Sequence, residues 1–183
     1  VAQRIGLQLD GKDTRTLAGE VARAALEDFS RQDYHIPLTW ITSTVTSGRI
    51  EAFKKLGVMP HNIDANVSEI MHRTTRGNDA DPVNLLLGGI KCGLCDYAGC
   101  HIATDLSDIL FGTPQPTASS ANLGVLKRGA VNIALHGHNP LMSEIVVNAA
   151  AELEAEARAA GAPDGINLVG ICCTGNEVLV RRG

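Results

Sequence analysis

The strongest constraint in this sequence is a pair of short apolar runs, Val131-Asn132-Ile133-Ala134-Leu135 and Ile166-Asn167-Leu168-Val169-Gly170-Ile171, separated by one long amphipathic stretch. Each run has the length of a strand. The intervening stretch opens at Asn139-Pro140, a capping residue followed by proline at the first helical position, and places Leu141, Ile145, Ala149, Leu153 and Ala157 near the helical period before Gly161 ends it. Strand, helix and strand in that order predict a βαβ unit, whose two strands run parallel. Gly175-Asn176-Glu177-Val178-Leu179-Val180 then predicts the start of a further helix.

Parallel strands point the same way, so whatever follows each of them lies on one edge of the sheet, where open α/β sheets place their ligands. His136-Gly137-His138 follows the first run and Cys172-Cys173 the second. Neighbouring strands lie about 4.8 Å apart, or about 10 Å with one strand between, so one metal or cluster could reach both loops. Thiolate with imidazole suits zinc, copper or iron-sulfur iron, and the residue types alone do not choose among them. A bland reading stands beside this one. A histidine at a strand end commonly serves as a hydrogen-bonded structural residue, and vicinal cysteines as small buried ones. Gly137 and Gly175 leave room for backbone to approach a bulky group.

From residue 14 to about 111 the pattern is helical. Thr14 or Thr16 is placed to cap a helix carrying Leu17, Val21, Ala24, Ala25 and Phe29 on one face. A second helix is predicted from Arg49 to Leu56, closed by Gly57, and a third from Asp64 to about Arg73. Asp81-Pro82 starts a fourth, and a last one covers Thr104 to Leu110 before Gly112-Thr113-Pro114. The stretch from Gly112 to Asn122 reads as an exposed connection. The predicted organisation is therefore a helical region over 1–118 and the first βαβ unit of a Rossmann-like domain over 119–183.

Composition narrows the function. With 16 Lys and Arg against 20 Asp and Glu, and only 3% aromatic residues, the chain lacks the basic surface and stacking platforms of a nucleic-acid binder. Its apolar runs are far shorter than the 18 or so residues of a membrane span. Five cysteines, grouped as Cys92, Cys95, Cys100 and the pair Cys172, Cys173, make a poor disulfide framework and fit a reducing compartment. The first trio falls in an apolar helical pattern and reads as core thiols rather than a cluster motif. Asp96 sits inside that pattern, where burial would demand a partner, unless it is a helix C-terminal residue open to water. Val1 in place of Met, and an end just after Val178-Leu179-Val180, predict a fragment.

Several segments together carry a family resemblance: Asn78-Asp79-Ala80-Asp81-Pro82, the run from Asp105 to Pro114, Asn122-Leu123-Gly124-Val125-Leu126-Lys127, His136-Gly137-His138-Asn139-Pro140 with Ser143-Glu144, and the run from Gly170 to Glu177. They resemble the catalytic subunit of anaerobic nickel-iron-sulfur carbon monoxide dehydrogenases, from about Arg73 to Gly183. The resemblance implies a prismane-like α/β fold, with a helical domain followed by Rossmann-like domains, of which well under half a subunit is present. It implies oxidation of carbon monoxide with water to carbon dioxide at a nickel-iron-sulfur cluster, with further 4Fe-4S clusters passing electrons to a ferredoxin-like acceptor. By motif, His138 and Cys173 match the ligands of the outlying iron, Cys172 is their neighbour, and Asp96 matches a carboxylate that takes up a proton.

The resemblance further implies a cytoplasmic homodimer of full-length subunits that reaches the inner membrane face only through partners. The remaining cluster cysteines of the family lie outside this sequence, so the isolated fragment is expected to be inactive. Two alternatives stand. One is the hybrid-cluster protein, a hydroxylamine reductase of the same architecture; the other is a simple metal-binding module built on the Cys and His residues.

Overall fold

The computed structural model describes residues 1–113, 115, 118, 123–138 and 140–175. They divide into two compact units, Val1–Leu106 and Ser107–Gly183. The first is all helical: α1 (Thr14–Ser30), α2 (Thr39–Thr44), α3 (Ser47–Lys55), α4 (Ile63–Thr75) and α5 (Pro82–Phe111), the last spanning the division. The second holds β1 (Val131–His136), α6 (Pro140–Ala159) and β2 (Ile166–Ile171). None of the helices is long and apolar enough to cross a membrane among the described residues.

The helices follow from local chemistry, with three corrections to the sequence reading. The cap of α1 is Asp13, not Thr14 or Thr16; its carboxylate accepts from the Thr16 backbone N–H at 2.7 Å, and both threonines lie inside the first turn. The segment after Leu38, which carried no assignment, forms the short helix α2. The helices expected from Asp81 and from Thr104 are one helix of 30 residues. Asp81 does start it, accepting from Val83 N and Asn84 N at 2.8 and 3.2 Å. No proline interrupts the chain before Pro114, so the ladder runs on through Cys100. Asn62 caps α4, and Gly57 follows α3 with φ +69°.

The core of the first unit joins Val21 and Ala25 of α1, Leu38, Trp40 and Ile41 at α2, Ile63 of α4, and Cys95, Ala98 and Ile102 of α5. On α5 the buried positions Cys95, Ala98, Ile102 and Asp105 recur at three and four residues, one stripe of a helix. The carboxylate of Asp105 accepts from Trp40 Nε1 at 2.7 Å and pairs with Arg4. Asp28, fully buried at the end of α1, accepts from the backbone N–H groups of Thr39 and Trp40 at 2.9 and 3.0 Å. It thus caps α2, whose own N-cap residue, Leu38, has no acceptor to offer.

In the second unit β1 and β2 pair in parallel, from Val131 opposite Ile166 to His136 opposite Ile171. The βαβ unit expected from the sequence is present, with α6 as its crossover. At the start of the ladder Asn167 Nδ2 donates to Asn132 Oδ1 at 2.8 Å and to the Val125 carbonyl at 2.9 Å. Glu154 of α6 accepts from Ile166 N at 2.8 Å and from Arg158, fixing the helix against the first residue of β2. The Asn139 cap, most of the connection between 112 and 122, and the helix expected beyond Gly175 lie outside the described residues.

Candidate metal centre

The parallel register decides what meets at the end of the sheet. His136 is the last residue of β1 and faces Ile171, so Cys172 is the first residue past the ladder on the neighbouring strand. Cys172 has a left-handed backbone, φ 63°, which turns the chain out of the strand and into a helical turn over 173–175. In this turn Cys172 Sγ lies 3.6 Å from His136 Nε2. Two bonds tie the turn to its surroundings. The backbone N–H of Thr174 donates to the Gly137 carbonyl at 2.8 Å, and Ser143 Oγ, in the first turn of α6, donates to the Thr174 carbonyl at 3.5 Å.

Ser143 and Thr174 are buried, whereas His136, His138, Cys172 and Cys173 are all exposed. This asymmetry makes a buried rim with soft donors on its open side. Metal–thiolate and metal–imidazole bonds of about 2.3 and about 2.0 Å at a tetrahedral angle separate the two donor atoms by about 3.5 Å. The 3.6 Å spacing of Cys172 Sγ and His136 Nε2 fits that requirement. Among the described residues no group of three or more His, Cys, Asp or Glu side chains comes together.

The sequence reading brought the two loops to one edge, and the structure does so too. His136 and Cys172 are in contact there, and His138 and Cys173, marked by motif, stand beside them on the same loops. Register counting alone carried the signal for that pair, because Cys172 directly follows the partner of His136. Ser143 and Thr174 had no such signal, as their role depends on where α6 starts relative to the turn.

Asp96 lies in the middle of α5 and is exposed, so neither the buried placement nor the helix C-terminal one holds. The buried stripe passes through its neighbour Cys95, and consecutive helical residues diverge by about 100°. Cys100 Sγ lies 3.9 Å from Asp96 Oδ1, one turn along the helix. Of the cysteine trio, Cys95 is a core thiol, Cys92 is half-buried and Cys100 is exposed. Burial, with Cys92 beside it, pushes the Cys95 thiol up to about 12.

Comparison with known proteins settles the family. The description "Prismane/CO dehydrogenase family" matches residues 1–183, the whole chain. The chain belongs to the prismane/CO dehydrogenase family. It is 57% identical to carbon monoxide dehydrogenase 1 of Carboxydothermus hydrogenoformans over 183 residues, covering 100% of this chain and 29% of that protein. The solved structure of carbon monoxide dehydrogenase IV from the same organism matches with a TM-score of 0.90 at 49% identity, over 100% of this chain and 29% of that one. The as-isolated Ni-free carbon monoxide dehydrogenase from Thermococcus sp. AM4 matches with a TM-score of 0.88 at 46% identity, over 98% of this chain and 28% of that one. The chain thus spans under a third of the length of these family members, and the helical region followed by a parallel α/β unit is the family fold.

Proposed function

We propose that this chain is part of the catalytic subunit of an anaerobic carbon monoxide dehydrogenase, which oxidises carbon monoxide with water to carbon dioxide, two protons and two electrons. The observation that carries this reading is the match over the full chain to relatives of that name, joined to soft donors converging at one sheet edge. Residues 1–118 are read as part of the helical domain and 119–183 as the first βαβ unit of a Rossmann-like domain.

A bound nickel-iron-sulfur cluster supplies a soft site for carbon monoxide, a cation that lowers the pKa of water, and a store for two electrons. His138 and Cys173 are the residues of this chain assigned to hold its outlying iron, with His136 and Cys172 adjoining them. Ser143 and Thr174 keep the two loops together from below. Asp96 is assigned the uptake of a proton released from water, a task for which an exposed carboxylate has the required access. The other ligands, the 4Fe-4S clusters, a ferredoxin-like acceptor and a homodimeric, cytoplasmic assembly belong to the full-length subunit.

The test is elemental analysis and carbon monoxide-dependent dye reduction on that full-length subunit, matured without oxygen. Nickel with iron in stoichiometric amounts, and loss of activity in His138→Ala and Cys173→Ala with the dimer intact, is the expected result. Asp96→Asn should lower turnover by about 10²- to 10⁴-fold. Iron without nickel, or zinc alone, would overturn the reading.

A further inference from the structure

The turn that carries Cys172 and Cys173 is held in place by close protein contacts. Gly170, near the end of β2, and Gly175, at the end of the turn, press backbone against backbone. A Cβ at Gly170 would lie 2.2 Å from Gly175 Cα, and one at Gly175 would lie 2.7 Å from the Gly170 carbonyl carbon. No side chain stands between them that could yield, so only glycine permits the fold-back at either position. The loop closed by this contact contains Ile171, Cys172, Cys173 and Thr174, and its tightness coincides with the left-handed φ of Cys172.

The same loop is fastened sideways and from below. Thr174, 3% exposed, donates its backbone N–H to Gly137, in the loop that carries His136 and His138. Ser143, 2% exposed, donates from the first turn of α6 to the carbonyl of the same Thr174. The two loops are therefore joined through Thr174, and Cys172 Sγ of one stands 3.6 Å from His136 Nε2 of the other.

Resting on the metal-centre reading above, the geometry points to Gly170, Gly175 and Ser143 as positioning residues that set the spacing of the two ligand loops. Ligand loops held by such contacts lose little conformational entropy when the site is loaded and retain the metal longer. Residues that orient ligands from behind are worth about 10- to 100-fold in metal affinity.

The experiment uses the full-length, anaerobically matured subunit with Ser143→Ala, Ser143→Thr and Gly170→Ala. It records nickel and iron per subunit, the rate of iron loss to a ferrous chelator, the low-temperature electron paramagnetic resonance spectrum of the cluster, and the thermal midpoint. Ser143→Ala should release iron about tenfold faster and alter the resonance spectrum while the thermal midpoint stays close to wild type. Ser143→Thr, which keeps the hydroxyl, should restore both, and Gly170→Ala should contain less than stoichiometric metal. Should Gly170→Ala fail to fold, the two Ser143 variants decide. Wild-type rates and spectra in Ser143→Ala would overturn the positioning role while leaving the assigned function intact. A wild-type subunit without nickel and iron would overturn both.

Discussion

Removal of the Asp28 carboxylate is the sharpest test of how the helical unit is held. Asp28 is fully buried and accepts from Thr39 N at 2.9 Å and Trp40 N at 3.0 Å, and Arg31 Nη1 lies 3.1 Å from its Oδ1. In Asp28→Ala both N–H groups at the start of α2 lose their acceptor, and each buried orphan costs about 1–3 kcal/mol. Arg31 is stranded less, because it also donates to the Pro37 carbonyl and to Thr39 Oγ1 at 3.0 and 3.2 Å. The expected loss is then about 3–4 kcal/mol, near the lower end for breaking a buried charged contact. Asp28→Asn keeps one acceptor oxygen and should lose about half as much. With a urea slope of about 2 kcal/mol per molar, the unfolding midpoint should fall by about 1.5–2 M for alanine and about 1 M for asparagine. Trp40, the single tryptophan of the chain, is buried at the cap itself, so its fluorescence reports this unit. An alanine shift below about 0.5 M, or equal shifts for the two variants, would refute the capping argument.

Other expectations follow from the same contacts. Asp28 and Asp105 both bond to Trp40, one at its backbone and one at its indole, so Asp28→Ala and Asp105→Ala should be non-additive by about 0.5–3 kcal/mol in a double-mutant cycle; strict additivity would show that Trp40 does not couple them. Because burial pushes the Cys95 thiol up to about 12, Cys95 stays protonated at pH 8 and should resist iodoacetamide in the native protein, while exposed Cys100 is labelled. Mass spectrometry of the modified peptides checks this, and equal labelling of the two refutes it. The backbone N–H of Ile166, then Arg158, holds the Glu154 carboxyl below its ordinary value of 4.5. A carboxylate lowered on folding adds stability above its unfolded pKa and loses it as pH falls through the folded one. Glu154→Gln should therefore flatten the loss of stability below pH 4.5, and an unchanged acid limb would remove Glu154 from the account.

The parts of this fold that are legible in the sequence are those set by local chemistry. Asp81-Pro82 marks a helix start because a carboxylate there can reach N–H groups two and three residues ahead, and the structure shows both bonds. The alternation from β1 through α6 to β2 is legible because only a crossover returns the chain to a parallel partner. Long-range compensation is what stays hidden. Asp28 caps a helix 11 residues downstream, and α2 has no cap of its own by which to announce itself. Asp96 looked buried because α5 is apolar on nearly every side, and only packing against α1, α2 and α4 chooses the Cys95, Ala98, Ile102 stripe.

At the candidate metal centre the division falls within a single loop. That His136-Gly137-His138 and Cys172-Cys173 share an edge follows from strand direction alone, and no side-chain detail could alter it. Which histidine meets which cysteine depends on one backbone angle. Had Cys172 continued in extended conformation, its side chain and that of Cys173 would alternate across the sheet, as strand residues do. The left-handed φ of 63° breaks that alternation, and the contact between Gly170 and Gly175 closes the turn around it. A sequence displays the glycines five residues apart but not that they touch. Their contact turns two adjacent thiols with equal claims into one beside His136 and one at the start of a helical turn. A backbone contact of this kind can thereby give two neighbouring cysteines different tasks.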